Sequence, residues 1–181
     1  MFFILFSIIT PFAANAGSIK EAVKGKNILV VYFSLTGTTE KIANEIHRQV
    51  GGDIQSISVV TPYPQDYHAT VARAKQEITT QHYPEINPLP ALDHYDVIFI
   101  GYPIWWNTLA SPVQRYLTRY HVNDKLVIPF CSDKMSGFGF SLRDLVRLTP
   151  GARYMSGLAV DDDDIAQVAE LVAKWLAAEK T

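Results

Sequence analysis

Asn27–Phe33 reads NILVVYF, and Ser34–Thr39 continues it as SLTGTT. The first stretch leaves no polar face, which is how a parallel strand buried on both sides reads. The second is turn-rich. It opens into Thr39–Val50, where Ile42, Ala43, Ile46 and Val50 fall on one helical face with charges between them. Gly51-Gly52 then ends the helix. A doubly buried strand running through a tight turn into an amphipathic helix is the unit of an α/β sheet, and the rest of the chain repeats it.

Working outward, Asp53–Val60 predicts a second strand and Gln65–Ile78 a helix after Pro62 and Pro64. His82–His94 holds Pro84, Pro88 and Pro90 and reads as a connector. Asp96–Gly101, DVIFIG, predicts a third strand, buried on both faces. Ser111–Tyr120 predicts a helix with Pro112 at its first position, where a missing N–H does no harm. Lys125–Cys131 predicts the fourth strand, Phe140–Leu148 a short helix, Arg153–Val160 the fifth strand and Asp161–Lys180 a closing amphipathic helix. Five strands alternating with helices imply one parallel sheet covered on both faces, a three-layer α/β sandwich. In such sheets ligands bind beyond the carboxyl ends of the strands, so the loops after strands one, three and four carry the chemistry.

Composition agrees with a single packed domain. The 181 residues are 48% hydrophobic and 19% charged, enough apolar material for a core and against a disordered chain. A formal charge of -2 provides no basic field for nucleic acid or anionic lipid. One cysteine, Cys131, excludes an internal disulfide and a four-cysteine zinc site. Phe2–Phe12 is almost purely apolar and leads to Ala14-Asn15-Ala16, the pattern of a secretory signal peptide and its cleavage site, although no Lys or Arg precedes the run. The run is too short to span a membrane, and no twin arginine is present. Residues 1–16 are therefore expected to be removed, leaving an exported domain of residues 17–181 that begins at Gly17 and is destined for the periplasm or the medium.

The loop after strand one has four hydroxyls in six residues: Ser34, Thr36, Thr38 and Thr39, with Leu35 and Gly37 between them. Gly37 allows a tight turn. The helix that follows offers N–H groups without internal partners and a partial positive charge. Together these form a neutral cradle for a phosphate, and each hydrogen bond to a charged phosphate contributes roughly 1.5–3 kcal/mol. No lysine sits in the loop, so it is not the cradle of a nucleotide hydrolase, and it lacks the G-x-G-x-x-G of a dinucleotide site. A plainer reading, a capped helix start rich in Ser and Thr, fits the same residues. The loop after strand three, Gly101–Thr108, reads GYPIWWNT. Two adjacent tryptophans in an expected loop gain by burial, and a planar π ligand supplies it; anchoring the loop to the core is the other use for them.

The S-x-T-G-x-T loop, set between a buried first strand and a helix continuing Glu40-Lys41-Ile42-Ala43, resembles the phosphate-binding loop of flavodoxins, and the β-α order fits that family over residues 17–181. The resemblance implies a five-stranded sheet of order 2-1-3-4-5 and one FMN at its tips, its phosphate held by Ser34, Leu35, Thr36, Gly37, Thr38 and Thr39. It places the isoalloxazine against Tyr102, Pro103, Ile104, Trp105, Trp106 and Asn107. Alignment on Pro103 makes Trp105 the ring contact and Trp106 the second. The G-Y-P-I-W-W form is similar to a bacterial, flavodoxin-like branch. The pyrimidine edge would meet Ser132, Asp133, Ser136, Gly137 and Gly139 in the loop after strand four, where Lys134 and Met135 depart from the glycines that related chains carry. The implied activity is electron transfer with a redox protein or a small electron donor or acceptor. An FMN-dependent reductase of NAD(P)H or quinone uses the same three loops, and a binding module without cofactor is the third class.

Other features carry less. Tyr63, Tyr67 and the proline-rich connector either roof the flavin or pack ordinarily. Asp161–Asp164 lacks the alternation and glycine of a calcium loop and sits where acidic side chains favour a helix start. His47, His68, His82, His94 and His121 show no metal-ligand spacing. Cys131 is either redox-active or, the plainer reading, a small buried residue at a strand end.

Overall fold

The computed structural model describes residues 17–179; the expected signal segment, residues 1–16, lies outside them. The elements are α1 (Ile19–Ala22), β1 (Ile28–Tyr32), α2 (Thr38–Val50), β2 (Asp53–Ser56), α3 (Tyr67–Thr80), β3 (Val97–Trp105), β4 (Thr108–Leu109), α4 (Ser111–Arg119), β5 (Leu126–Asp133), α5 (Ser141–Leu148), β6 (Arg153–Tyr154) and β7 (Leu158–Asp161). A 3₁₀ turn follows at Asp162–Gln167, and α6 (Val168–Ala177) closes the chain. The sheet order is β2-β1-β3-β5, with β6 and β7 together forming the outer edge along β5. Counting that edge as one strand gives the expected order 2-1-3-4-5.

Strand alternation sorts the core into two layers. Ile28, Val30 and Tyr32 of β1, Val97 and Phe99 of β3, and Ile128 and Phe130 of β5 face α1, α2 and α6. Leu29, Val31, Ile98, Ile100, Tyr102, Val127 and Cys131 face the other way, onto α4 and α5. α3 lies against α4 in that second layer. Every residue of β1 is buried, as is every residue of β3 up to Tyr102. That is why these strands read as continuous apolar runs.

Several expectations need correction. The third strand does not stop at Gly101: it runs on to Trp105 and turns back as an antiparallel hairpin, Ile104↔Leu109 and Trp105↔Thr108. The expected loop is thus a strand end with a two-residue turn. β2 ends at Ser56, and Val59 makes only a bridge to Ile86. α3 starts two residues late because Asp66 caps it, its carboxylate accepting from Ala69 N–H at 2.7 Å. Pro112 stands second in α4, not first. The closing helix is α-helical only from Val168, since Asp161 ends β7 and caps the 3₁₀ turn. α1, with Ser18 as its cap, was not expected.

The fifth strand is split, and Pro129 explains it. Leu126 N–H donates to Asp96 on the β3 side, while Met155 N–H donates to Val127 O on the outer side. Odd-numbered residues of β5 therefore face the edge, and Pro129 has no N–H to give there. Across it the pairing slips from Val127↔Tyr154 to Phe130↔Leu158, one extra residue in the outer strand, which is a bulge. The slip changes which residues face inward. Leu158 and Val160, not Ala159 and Asp161, reach the α6 side of the core.

Candidate functional site

The carboxyl ends of β1, β3 and β5 lie side by side, and three direct links tie their loops together. Thr39 and Ser132 hydroxyls meet at 2.8 Å, both buried. Phe33 and Trp105 rings meet edge-on at 5.5 Å. Phe140 N–H donates to Asn107 O at 2.8 Å.

At the first loop, Gly37 takes φ +93° and stands where α2 begins, with no side chain capping the helix. Only glycine adopts that conformation without strain. Ser34 Oγ accepts from Gly37 N–H at 3.1 Å, which folds the loop back on itself. The first helical hydrogen bond is Lys41 N–H to Gly37 O. The N–H groups of Thr38, Thr39 and Glu40 are thus left over at the start of a 13-residue helix. Thr36 and Thr38 hydroxyls lie 3.5 Å apart, and Leu35 and Thr36 are exposed. A Cβ built on Gly37 would meet nothing within 4 Å, so the concavity is open. These residues fit a phosphate. Thr39 does not face the cradle with its side chain; its hydroxyl is spent on Ser132.

The hairpin after β3 carries both tryptophans. Trp106 and Asn107 take φ +48° and +67°, the two-residue turn with both residues left-handed. Left-handed backbone costs an L-residue roughly 1–2 kcal/mol. Trp106 recovers a similar amount: its indole N–H donates to Val71 O at 3.2 Å, and Lys75 lies 4.6 Å over its ring, each worth on the order of 0.5–1.5 kcal/mol. The ring is half exposed. Trp105 is partly buried, edge-on to Phe33 and to Tyr63 at 5.1 Å. Pro103 and Ile104 are half-buried beside it. Tyr102 is fully buried, its hydroxyl 3.2 Å from Ser141 Oγ, so it offers the rim backbone and not its ring. Thr108 donates to Asp144 at 2.7 Å and fixes the hairpin to α5.

In the third loop the buried Asp133 carboxylate accepts from Ser136 and Gly137 N–H at 2.9 and 3.1 Å. Asp161, delivered by the bulge, accepts from Met135 N–H at 2.7 Å. Gly139 is crowded: a Cβ there would sit 2.2 Å from Asn107 Oδ1. Met135, at φ +63°, is almost fully exposed. Burial, and less so Asp133, pushes the Cys131 thiol far up, so it is held protonated in the core. Burial also raises the Asp162 carboxyl, which Lys134 partly opposes.

One cluster was not assembled from the sequence. Arg73 donates to Glu77 (2.8 Å), Pro62 O (2.8 Å) and Thr61 O (3.2 Å), and its guanidinium lies 4.1 Å over the Tyr63 ring. Tyr63 donates to Glu77 at 2.6 Å, and burial followed by that carboxylate pushes its hydroxyl well up. Of the two tyrosines read as either roof or ordinary packing, Tyr63 is packed in as a wall behind Trp105, while Tyr67 is exposed at the start of α3. The i,i+4 spacing of Arg73 and Glu77 was the available signal. Among the described residues no group of acidic, histidine or cysteine side chains could hold a metal, and no helix is long and apolar enough to cross a membrane.

The sequence model of a family described as flavodoxin matches residues 27–179. A search of curated proteins returns no match. Among solved structures, a flavoprotein of Bacteroides uniformis is 29% identical, with a TM-score of 0.72, over 83% of this chain and 100% of that one. A flavoprotein of Bacteroides eggerthii is 30% identical, with a TM-score of 0.69, over 82% and 99%. A flavoprotein of Lactobacillus acidophilus, solved in complex with FMN, shares the fold at 22% identity and a TM-score of 0.66, over 80% and 99%.

Proposed function

The chain belongs to the flavodoxin family, and we propose that it holds one FMN across the three loops and passes electrons through the flavin's exposed edge. The observation that carries this reading is the uncapped start of α2, where Gly37 and the free N–H groups of Thr38, Thr39 and Glu40 meet the Thr36 and Thr38 hydroxyls. Donors without acceptors beside a helix N-terminus suit a phosphate, and no cation is needed. Trp105 and Trp106 would flank the isoalloxazine, and the backbone of Asp133–Gly139 would meet its pyrimidine edge. FMN supplies the redox chemistry when bound; the chain binds it, orients it and shields one side from water. The family is described as flavodoxin and the solved relatives are named as flavoproteins, names that specify no substrate, which is consistent with an electron carrier.

The test is an absorbance spectrum of the purified protein, followed by release and chromatographic identification of the cofactor. The expected result is a yellow protein that releases FMN and no FAD, because the chain has one phosphate cradle and no second glycine-rich turn for a pyrophosphate. A colourless protein that takes up no added FMN would leave a binding module. Export belongs to the same proposal: Ala14-Asn15-Ala16 ends just before Ser18, which caps the first helical turn. Amino-terminal sequencing of protein made in an exporting host should read from Gly17. Retention of Met1 in a soluble cytoplasmic pool would remove the export claim.

A further inference from the structure

The two helical layers carry opposite charge. α3, α4 and α5 present Arg73, Lys75, Arg115, Arg119, Arg143 and Arg147 against two acidic side chains, Glu77 and Asp144. Glu77 is buried under Tyr63, while Asp144 is held by Thr108 through one oxygen and pairs with Arg143 and Arg147 at 3.4 and 3.8 Å through the other. Arg115 pairs with the exposed Glu85, so the helices' six cations still outnumber the acids beside them. Across the sheet, α1, α2, the 3₁₀ turn and α6 carry four cations against seven acids, three of them the consecutive Asp162, Asp163 and Asp164. A chain of formal charge -2 is thus polarised across its thickness.

The cationic layer also bears exposed apolar side chains at and beside the second loop. Trp106, Phe140, Leu142 and Val146 are 48%, 55%, 39% and 50% exposed. Phe140 is hydrogen-bonded to Asn107, the residue after Trp106, and Leu142 and Val146 lie one turn apart on α5. Cations lie on both rings, Lys75 over Trp106 and Arg143 at 4.9 Å over Phe140. Exposed aromatics interleaved with arginine are the composition of interface centres.

We infer that the face formed by Trp106, Phe140, Leu142 and Val146, ringed by Lys75, Arg143 and Arg147, docks an electron-transfer protein that presents an acidic surface. The inference rests on the FMN reading, since the face adjoins the loops assigned to the flavin and a partner seated there reaches the flavin's edge. Its sign comes from charge complementarity: the layer attracts an acidic partner and repels a basic one, and the attraction steers encounter.

The test measures binding of the full chain, with and without FMN, to two probes: an acidic plant-type [2Fe–2S] ferredoxin and a basic c-type cytochrome. At low salt the ferredoxin should bind at least about tenfold tighter, with the preference fading as salt screens it. R143E/R147E should weaken ferredoxin binding by about tenfold or more and strengthen cytochrome binding. K75E, on another helix, should act in the same direction, and R143Q/R147Q should give about half the effect should the double reversal fail to fold. Electron transfer from the reduced holoprotein to each probe, followed by stopped flow, should rank the same way. Tighter binding of the cytochrome, or indifference to all three variants, overturns the inference while leaving FMN binding intact. So does equal binding to vesicles of 30% anionic phospholipid, which would assign the face to a lipid surface. Ferredoxin binding with the expected variant pattern by a chain that takes up no FMN would sink the FMN reading and keep the docking face.

Discussion

At the scale of single residues, the proposed site divides into side chains that face outward and side chains that hold the frame. Thr36 is exposed and hydrogen-bonded only to Thr38, so the fold does not depend on it. Thr36→Asp should leave the apo melting temperature nearly unchanged and weaken FMN binding by about three decades. A like charge some 4 Å from the phosphate costs on the order of 4 kcal/mol at intermediate dielectric. Fluorescence titration with FMN reads this directly, and unchanged affinity would place the phosphate elsewhere. Trp105 belongs to both groups, because its edges pack on Phe33 and Tyr63. Trp105→Ala should therefore weaken FMN roughly five- to 150-fold, as loss of one stacked ring does, shift the flavin's potentials, and lower apo stability by about 1–3 kcal/mol. If only stability changes, the ring is packing and not contact, and Trp106→Ala becomes the variant to titrate.

At the scale of elements, the segment between β2 and α3 owes its shape to Arg73, which ties Thr61 and Pro62 carbonyls, the Tyr63 ring and Glu77 together. Arg73→Met should cost roughly 1–3 kcal/mol in urea unfolding, less than a fully buried pair because Arg73 is a quarter exposed. Most of that loss should return in Arg73→Met/Glu77→Gln, since the cost is a buried carboxylate left without its cation. A double mutant no more stable than Arg73→Met would assign the effect to the carbonyls instead. The sequence foretold unevenly at this scale. The buried strands and α2 were legible because burial on both faces, or on one helical stripe, leaves a local periodic pattern. The extension of β3 into its hairpin was not, because Trp106 and Asn107 carry no glycine to mark the turn. The split of the last strand was hidden for another reason: its cause, Pro129, lies in a different strand and acts across a register invisible in one dimension. Of the proposed site, the turn from β1 into α2 was legible because it is contiguous in the chain. The Thr39–Ser132 link joins residues 93 apart, and only the fold brings them together.

At the scale of the whole molecule, charge and edges decide how the protein behaves among its neighbours. The Asp162 carboxyl is raised by burial first, with the neighbouring acids adding to it. Its ionised form therefore costs stability at neutral pH, and that cost disappears as pH falls through the raised value into the ordinary carboxylate range. Asp162→Asn should melt higher than the parent at pH 7 and converge with it in acid; a gap that persists at pH 3 would assign the gain to packing. The sheet's two margins matter in a different way. One is β2, a short polar strand, DIQS, whose first side chain is engaged by Tyr95. The other is broken by the bulge opposite Pro129, where a Cβ on Gly157 would lie 2.7 Å from Pro129 O. A straight, regular margin is a template on which a second unfolded chain can register strand against strand and seed fibrils. Here the run of pairable backbone on the outer margin is two residues, then four, out of phase with each other. A second chain thus meets no continuous template on this margin, and the proline that interrupts the sheet is what breaks it.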